Sequence, residues 1–398
     1  MKQRLVQLAM LLVTSMFAGI LSAKDLILDA TLKAEAYYDD QFDLQRDETE
    51  VSVLTYNPAL ALSYTGQRNV SVARVDATYN RFVEGPFEDT DNFRAGWDFS
   101  RSYRSSEAGF NISYEERLLT DEPEFDGAVD ADGNETIRTR RARVFYENAL
   151  SPLASVLFSY ENFERRVSDS NNTELGNDRN IRHDVSVGWF RTLSPRSTFA
   201  LNVDFSAFRP TDPDVQFESD ANIYRVTAGG QYELSRRWSL DALVGIDSID
   251  VDGGELLDGE EFAVEDGEVL PAVTVSARYT GKRDFLDFSF DTKNSQQLDG
   301  VIDRQDSLSI GWRHAFRERL ESTIRTRYIL TEINDREHFR LEAQLKWQPR
   351  KQWLYRFSYT HRNQTSIADF MPRQEISGES NRVTLSVEYL FNSLRFDI

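Results

Sequence analysis

The 398-residue chain has no cysteine, only 4 histidines and a deficit of positive charge. After its N-terminal leader it has no long apolar run either. Each absence excludes something. Without cysteine there is no disulfide framework and no thiolate to act as ligand or nucleophile. His183, His314, His338 and His361 fall in different segments, and no two have metal-ligand spacing, so no metal and no cofactor are expected. Gly-x-Ser-x-Gly and comparable signatures are missing, so the chain reads as no enzyme, with no catalytic residues. The 46 basic against 66 acidic residues, net charge -20, argue against a nucleic-acid partner. A helical membrane span needs roughly 20 consecutive apolar residues, and none follows the leader.

That leader reads MKQRLVQLAMLLVTSMFAGILSA. Lys2 and Arg4 precede an apolar run from Leu8 to Leu21 and small residues ending at Ala23, the layout of a secretory signal peptide cleaved after Ala23. Residues 24–398 are then expected to form a single exported domain. With no disulfide available, a closed ladder of backbone hydrogen bonds could hold it.

What the chain does have is alternation. In RKQWLYRFSYTHRNQ, Trp353, Tyr355, Phe357 and Tyr359 take every second place, with Arg356, Ser358, Thr360 and Arg362 between them. A strand sends successive side chains to opposite faces, so this segment has one aromatic face and one wet face. The same pattern sets Ala73, Val75, Ala77 and Tyr79 against Arg74, Asp76 and Thr78, and Phe339, Leu341, Ala343 and Leu345 against Arg340, Glu342 and Gln344. A soluble β-sandwich and a membrane barrel both alternate in this way.

Three features favour the barrel. The alternating segments run about 12 to 16 residues, longer than globular strands and enough for a tilted span of about 9–11 residues. Eight short polar turns, such as TGQRN (Thr65 to Asn69), TGKRD (Thr280 to Asp284) and QPRKQ (Gln348 to Gln352), alternate with mostly longer acidic connections such as Asp250 to Glu268. Tyr64, Trp238, Phe316, Trp347 and Trp353 lie near short turns, while Tyr38, Tyr79, Tyr328 and Tyr359 lie toward the other strand ends, as two interfacial girdles would. The expectation is an all-β, transmembrane, antiparallel up-and-down barrel of about 18 strands, with 16 as the alternative.

Taking the polar face as inward, the N-terminal half offers Asp29, Glu35, Arg74, Asp76, Arg94, Asp98, Glu115, Glu161, Asp184 and Asp204 to the lumen. The C-terminal half leans basic, and Arg278, Arg313, Arg325, Arg327, Arg340, Lys346, Arg356 and Arg362 are the expected pore-lining residues. Arginine forks suit carboxylate or sulfate groups on a passing solute. Mutual pairing of these charges would instead only keep the wall wet. The Asp250 to Glu268 connection is the longest candidate to fold into the pore. DADGNE (Asp130 to Glu135) imitates the start of a calcium loop, but Glu135 stands where glycine is required and Arg141 where glutamate is, so it is no EF-hand.

FNSLRFDI at the C-terminus resembles the signal read by the barrel-assembly machinery, with Phe396 and Ile398 at alternate apolar places. Ser393 stands where glycine is commoner, and the last residue is isoleucine, not an aromatic. The mature chain, with its first strand at Leu26 and long strands such as VTVSARYTGKRDFLDFSFD and VTLSVEYLFN, resembles the bacterial outer-membrane group known as β-barrel porin 2. That resemblance implies a barrel associated with exopolysaccharide biosynthesis and export in a Gram-negative envelope, and it transfers no functional residues. The expected function is an outer-membrane channel serving polysaccharide export or small anionic solutes. The alternative is a non-conducting structural or adhesive barrel acting through acidic extracellular loops. Expected partners are outer-membrane lipid and lipopolysaccharide, the assembly machinery, and polysaccharide export components or saccharides.

Overall fold

Strands form where β-branched and aromatic residues alternate with polar ones, and they stop at the Gly-, Pro- and Ser-containing turns. The computed structural model describes residues 25–41, 50–85, 89–118, 136–168, 179–210, 220–252, 268–296, 302–331, 336–368 and 374–396. Its strands are β1 (Asp25–Asp39), β2 (Val51–Thr65), β3 (Asn69–Glu84), β4 (Thr90–Ser102), β5 (Ser106–Leu118), β6 (Thr136–Ser151), β7 (Ala154–Ser168), β8 (Arg179–Ser194) and β9 (Ser197–Pro210). The second half supplies β10 (Asp220–Glu233), β11 (Trp238–Asp252), β12 (Val269–Thr280), β13 (Asp284–Gln296), β14 (Ile302–Arg317), β15 (Leu320–Thr331), β16 (Arg336–Arg350), β17 (Trp353–Ala368), β18 (Gln374–Leu390) and the short β19 (Leu394–Phe396).

Strands β1 to β18 each pair antiparallel with their sequence neighbours, and β1 closes the ring by pairing with β18 and β19. The result is a closed 18-strand barrel plus one short extra strand. Sixteen strands, the alternative count, is not what forms. The extra strand is the foot of β18, set off by a bulge. Going down the seam, the ladder passes from Thr31↔Leu390 to Leu28↔Leu394, so three steps on β1 accompany four on the closing strand. Phe391 N–H donates to the Ala30 carbonyl across the break, at 3.0 Å. Closure matters because backbone groups facing lipid find no water to pair with.

Residues in register share a face. The column Trp353, Tyr355, Phe357 and Tyr359 lies beside Trp347, Leu345 and Ala343 on β16 and Tyr389, Val387, Leu385 and Val383 on β18. This face is exposed: Val244 is 58%, Leu385 55% and Phe357 50% accessible, in a belt that runs through Leu60, Ile112, Val144, Phe158, Val203 and Ile310. A continuous apolar belt of this kind belongs against lipid, since water-facing proteins rarely carry one. Near the short turns aromatic pairs border it, including Trp238–Tyr279 at 5.0 Å, Trp347–Tyr355 at 5.4 Å and Trp353–Tyr389 at 4.9 Å.

Several strand glycines are forced by the backbone, Gly245 most tightly. A Cβ on Gly245 of β11 would stand 1.8 Å from the Val226 carbonyl oxygen of β10, and main chain cannot rotate away. Gly245→Val is therefore expected to cost at least the roughly 1–3 kcal/mol of an overpacked core. Urea unfolding of the liposome-folded barrel, compared with the parent, reads that loss.

Candidate functional site: the inner face of the barrel

The opposite face of the same strands carries the charge, and the register sorts it into rows. On β14 to β17, Ser309, Arg327, Arg340 and Arg362 stand side by side. On β15 to β18 the row is Glu321, Lys346, Arg356 and Ser386. A third runs Arg278, Asp287, Gly311, Arg325, Glu342 and Thr360 on β12 to β17. Arg313 lies opposite Phe285 and Thr323. All eight cations singled out in the sequence thus share one face of one contiguous sector.

Directly opposed like charges destabilise a sheet, because cross-strand Cβ atoms are only about 4.5–5.5 Å apart. Here Arg327, Arg340 and Arg362 are opposed in succession, and so are Lys346 and Arg356. Acids offset part of this. Arg356 meets Glu388 at 2.7 Å, Arg340 meets Glu342 at 3.9 Å and Arg313 meets Glu321 at 4.0 Å. Phe285 lies under two guanidinium groups, Arg313 at 4.9 Å and Arg278 at 5.8 Å. Gly311 leaves the space that Asp287 uses, since a Cβ there would lie 2.5 Å from the Asp287 carboxylate.

The inner face also holds a second basic group that the alternation did not disclose. Arg141, Phe163 and Arg182 form one row across β6, β7 and β8. The Phe163 ring has Arg182 at 4.9 Å, Arg141 at 5.4 Å and Arg165 at 5.7 Å. Glu161 accompanies them, 3.1 Å from Arg141 and 3.7 Å from Arg182, and Asp184 lies 2.8 Å from Arg182. The basic character is therefore not confined to the C-terminal half. In TIRTRRARV (Thr136 to Val144) arginines occupy both parities, which hid the inward set. Arg138 and Arg140, on the outer parity, pair instead with Glu116 at 3.3 Å and Glu164 at 3.5 Å.

Two buried networks tie together the strand ends away from the short turns. Asp39, fully buried, accepts from Ser380 Oγ at 2.6 Å, Arg382 Nε at 2.8 Å and Arg362 Nη2 at 3.0 Å. Asp247, also fully buried, accepts two bonds from Arg225 at 2.7 Å each and one from Asn294 at 2.6 Å.

The histidines converge nowhere. His183, His314 and His361 lie on the outer parity, beside Asn162, Asp284 and Leu341 respectively, and His338 on the inner. Among the described residues no three acidic or histidine side chains gather as a metal site would require. DADGNE and most of the Asp250 to Glu268 connection lie outside the described residues.

No protein-family model matches the chain, and no curated protein matches it in sequence. Among solved structures, OccAB4 of Acinetobacter baumannii is similar over 94% of this chain and 99% of its own, at 11% identity and a TM-score of 0.50. The chain shares the fold of OccAB4. Two further structures are similar at lower scores. The outer membrane protein OpdK of Pseudomonas aeruginosa has 11% identity, coverage of 94% and 100%, and a TM-score of 0.47. The FrpB iron transporter of Neisseria meningitidis has 6% identity, coverage of 92% and 81%, and a TM-score of 0.49.

Proposed function

We propose that the chain is an outer-membrane, porin-like channel for small anionic solutes, with Arg278, Arg313, Arg325, Arg327, Arg340, Lys346, Arg356 and Arg362 lining its path. The observation that carries this reading is the direct opposition of cations on neighbouring strands. Such an arrangement costs stability. An 18-strand barrel is wide enough for an aqueous channel, and rings of arginine and lysine favour anions. Carboxylate and sulfate groups match the planar guanidinium fork, so anionic saccharides are the first solutes to test as blockers. A role beside polysaccharide export machinery follows from the same chemistry together with the resemblance to β-barrel porin 2. Lipid, lipopolysaccharide and the assembly machinery are the partners this placement requires.

The test is conductance and reversal potential of the refolded mature chain in a planar bilayer under a salt gradient. Steady conductance with anion preference is expected. Silence from a demonstrably folded barrel would overturn the channel and leave the structural or adhesive surface barrel.

A further inference from the structure

Among the described residues, the longest stretch of wall without its ladder lies between β12 and β13. Pairing between β12 and β13 ends at Thr274↔Asp291. Above that point Val269–Val273 still pair with β11 and Thr292–Gln296 still pair with β14, but the two runs do not pair with each other. The cause is in the sequence. Val273 points its N–H toward β13, so Pro271, two residues away, would point the same way, and proline has no N–H to give. Pro58 in β2 makes a smaller lesion, where Asn57 bonds across to Ala77 and Thr78 and the ladder resumes. At Pro271 it does not resume.

Side chains fill the gap instead. Thr292 Oγ1 accepts from Val273 N–H at 2.7 Å and lies 3.4–3.5 Å from the Val273 and Pro271 carbonyls. Asn294, of outward parity, turns through the gap to donate to Asp247 on the inner face, and its own Oδ1 is buried with no hydrogen-bond partner among the described residues. Arg225, which grips Asp247, also donates to the Thr292 carbonyl at 3.3 Å. Behind this latch lies an inward-facing apolar cluster of Phe208, Ala221, Ile223 and Ile249, with Leu270 of β12 packed on it. Its four members are at most 5% exposed, so the cluster is covered while the latch is closed.

We propose that the β12–β13 gap is a lateral portal, through which a single-chain amphiphile with a polar, hydrogen-bonding head passes between the adjoining leaflet and the lumen. The polar latch of Arg225, Asp247, Thr292 and Asn294 swings aside and receives the head group, and the Phe208–Ile249–Leu270 cluster receives the alkyl chain. Opening needs only side-chain bonds to break, because no backbone rung joins the strands there. This route is independent of whether the axial lumen conducts anions.

The absence of native cysteine makes the test clean. In a Val273→Cys, Thr292→Cys variant of the full mature barrel in liposomes, oxidation would bolt the gap shut and reduction would reopen it. The probe is a photoactivatable palmitate, located by peptide mapping. Reduced protein is expected to be labelled on the inward peptides bearing Ile249 and Leu270, and oxidised protein to lose that labelling while ionic conductance is unchanged. Pro271→Val, which restores a donor and lets the ladder continue, is expected to lose it without any cross-link. Equal inward labelling in both redox states, or none in either, would overturn the portal. Failure of the two cysteines to cross-link would also overturn it, because it would deny the juxtaposition.

Discussion

Asp39→Ala is expected to remove about 3–5 kcal/mol of folding free energy, the cost of stripping one partner from a buried ion pair. Asp39 is fully buried and holds Arg362 and Arg382 together with Ser380 at the closure of β1 against β17 and β18. Its loss leaves two guanidinium groups crowded without their shared counter-ion, one of them, Arg362, itself 5% exposed. Asn keeps the size and part of the hydrogen bonding, so Asp39→Asn is expected to fall between parent and alanine. The measurement is equilibrium urea unfolding in liposomes, with the folded fraction read from the mobility of unheated samples. An Asp39→Ala barrel as stable as the parent would show that the clamp does not hold the closure. Arg362→Gln should reproduce much of the loss, which sets it apart from the other lumen arginines.

The second large effect concerns selectivity. Replacing Arg325, Arg327, Arg340 and Arg356 together by Gln keeps the side chains long and polar and deletes four charges from the inner face. Anion preference is expected to vanish, with the chloride-to-potassium permeability ratio falling from above one to about one or below. Arg362 is left out deliberately because of its part in the clamp. An unchanged reversal potential in a folded quadruple variant would mean that the selecting charges lie elsewhere, and the Arg141, Arg165 and Arg182 group around Phe163 would be the next to neutralise. Glu388 should respond as well: it holds Arg356 at 2.7 Å, so Glu388→Gln is expected to release that cation and strengthen anion preference.

The architecture was legible in the sequence because period-two patterning and turn chemistry are local. The eight short connections fall where TGQRN, TGKRD and QPRKQ suggested, and the even strand number follows from them. The bulge that creates β19 was not legible, because FNSLRFDI has no residue whose backbone demands it. Parity placed the C-terminal cations on one face, but it could not show which of them lie opposite each other, since register depends on the lengths of the turns and the pairing of both neighbours. Parity also failed in TIRTRRARV, where outward arginines above the apolar belt looked the same as inward ones. Asp39 was missed because an aspartate at a strand end, here beside Asp40, carries no signal; its partners lie more than 300 residues away, with |i−j| of 323 for Arg362. The lateral gap had one sequence clue, Pro271, which within a strand marks an edge.

The wall is built almost wholly from hairpin neighbours, so nearly every rung joins residues close in sequence. The seam between β1 and the closing strand is the exception, with Asp39 and Arg382 separated by |i−j| of 343. Local contacts form fast, and contacts that must close a long loop form late. Assembly therefore has one slow, final event, and until it occurs the curled sheet presents two unpaired margins, β1 and β18. The Asp39 clamp belongs to that event alone, so weakening it should leave early strand pairing untouched and lengthen the life of the unclosed intermediate.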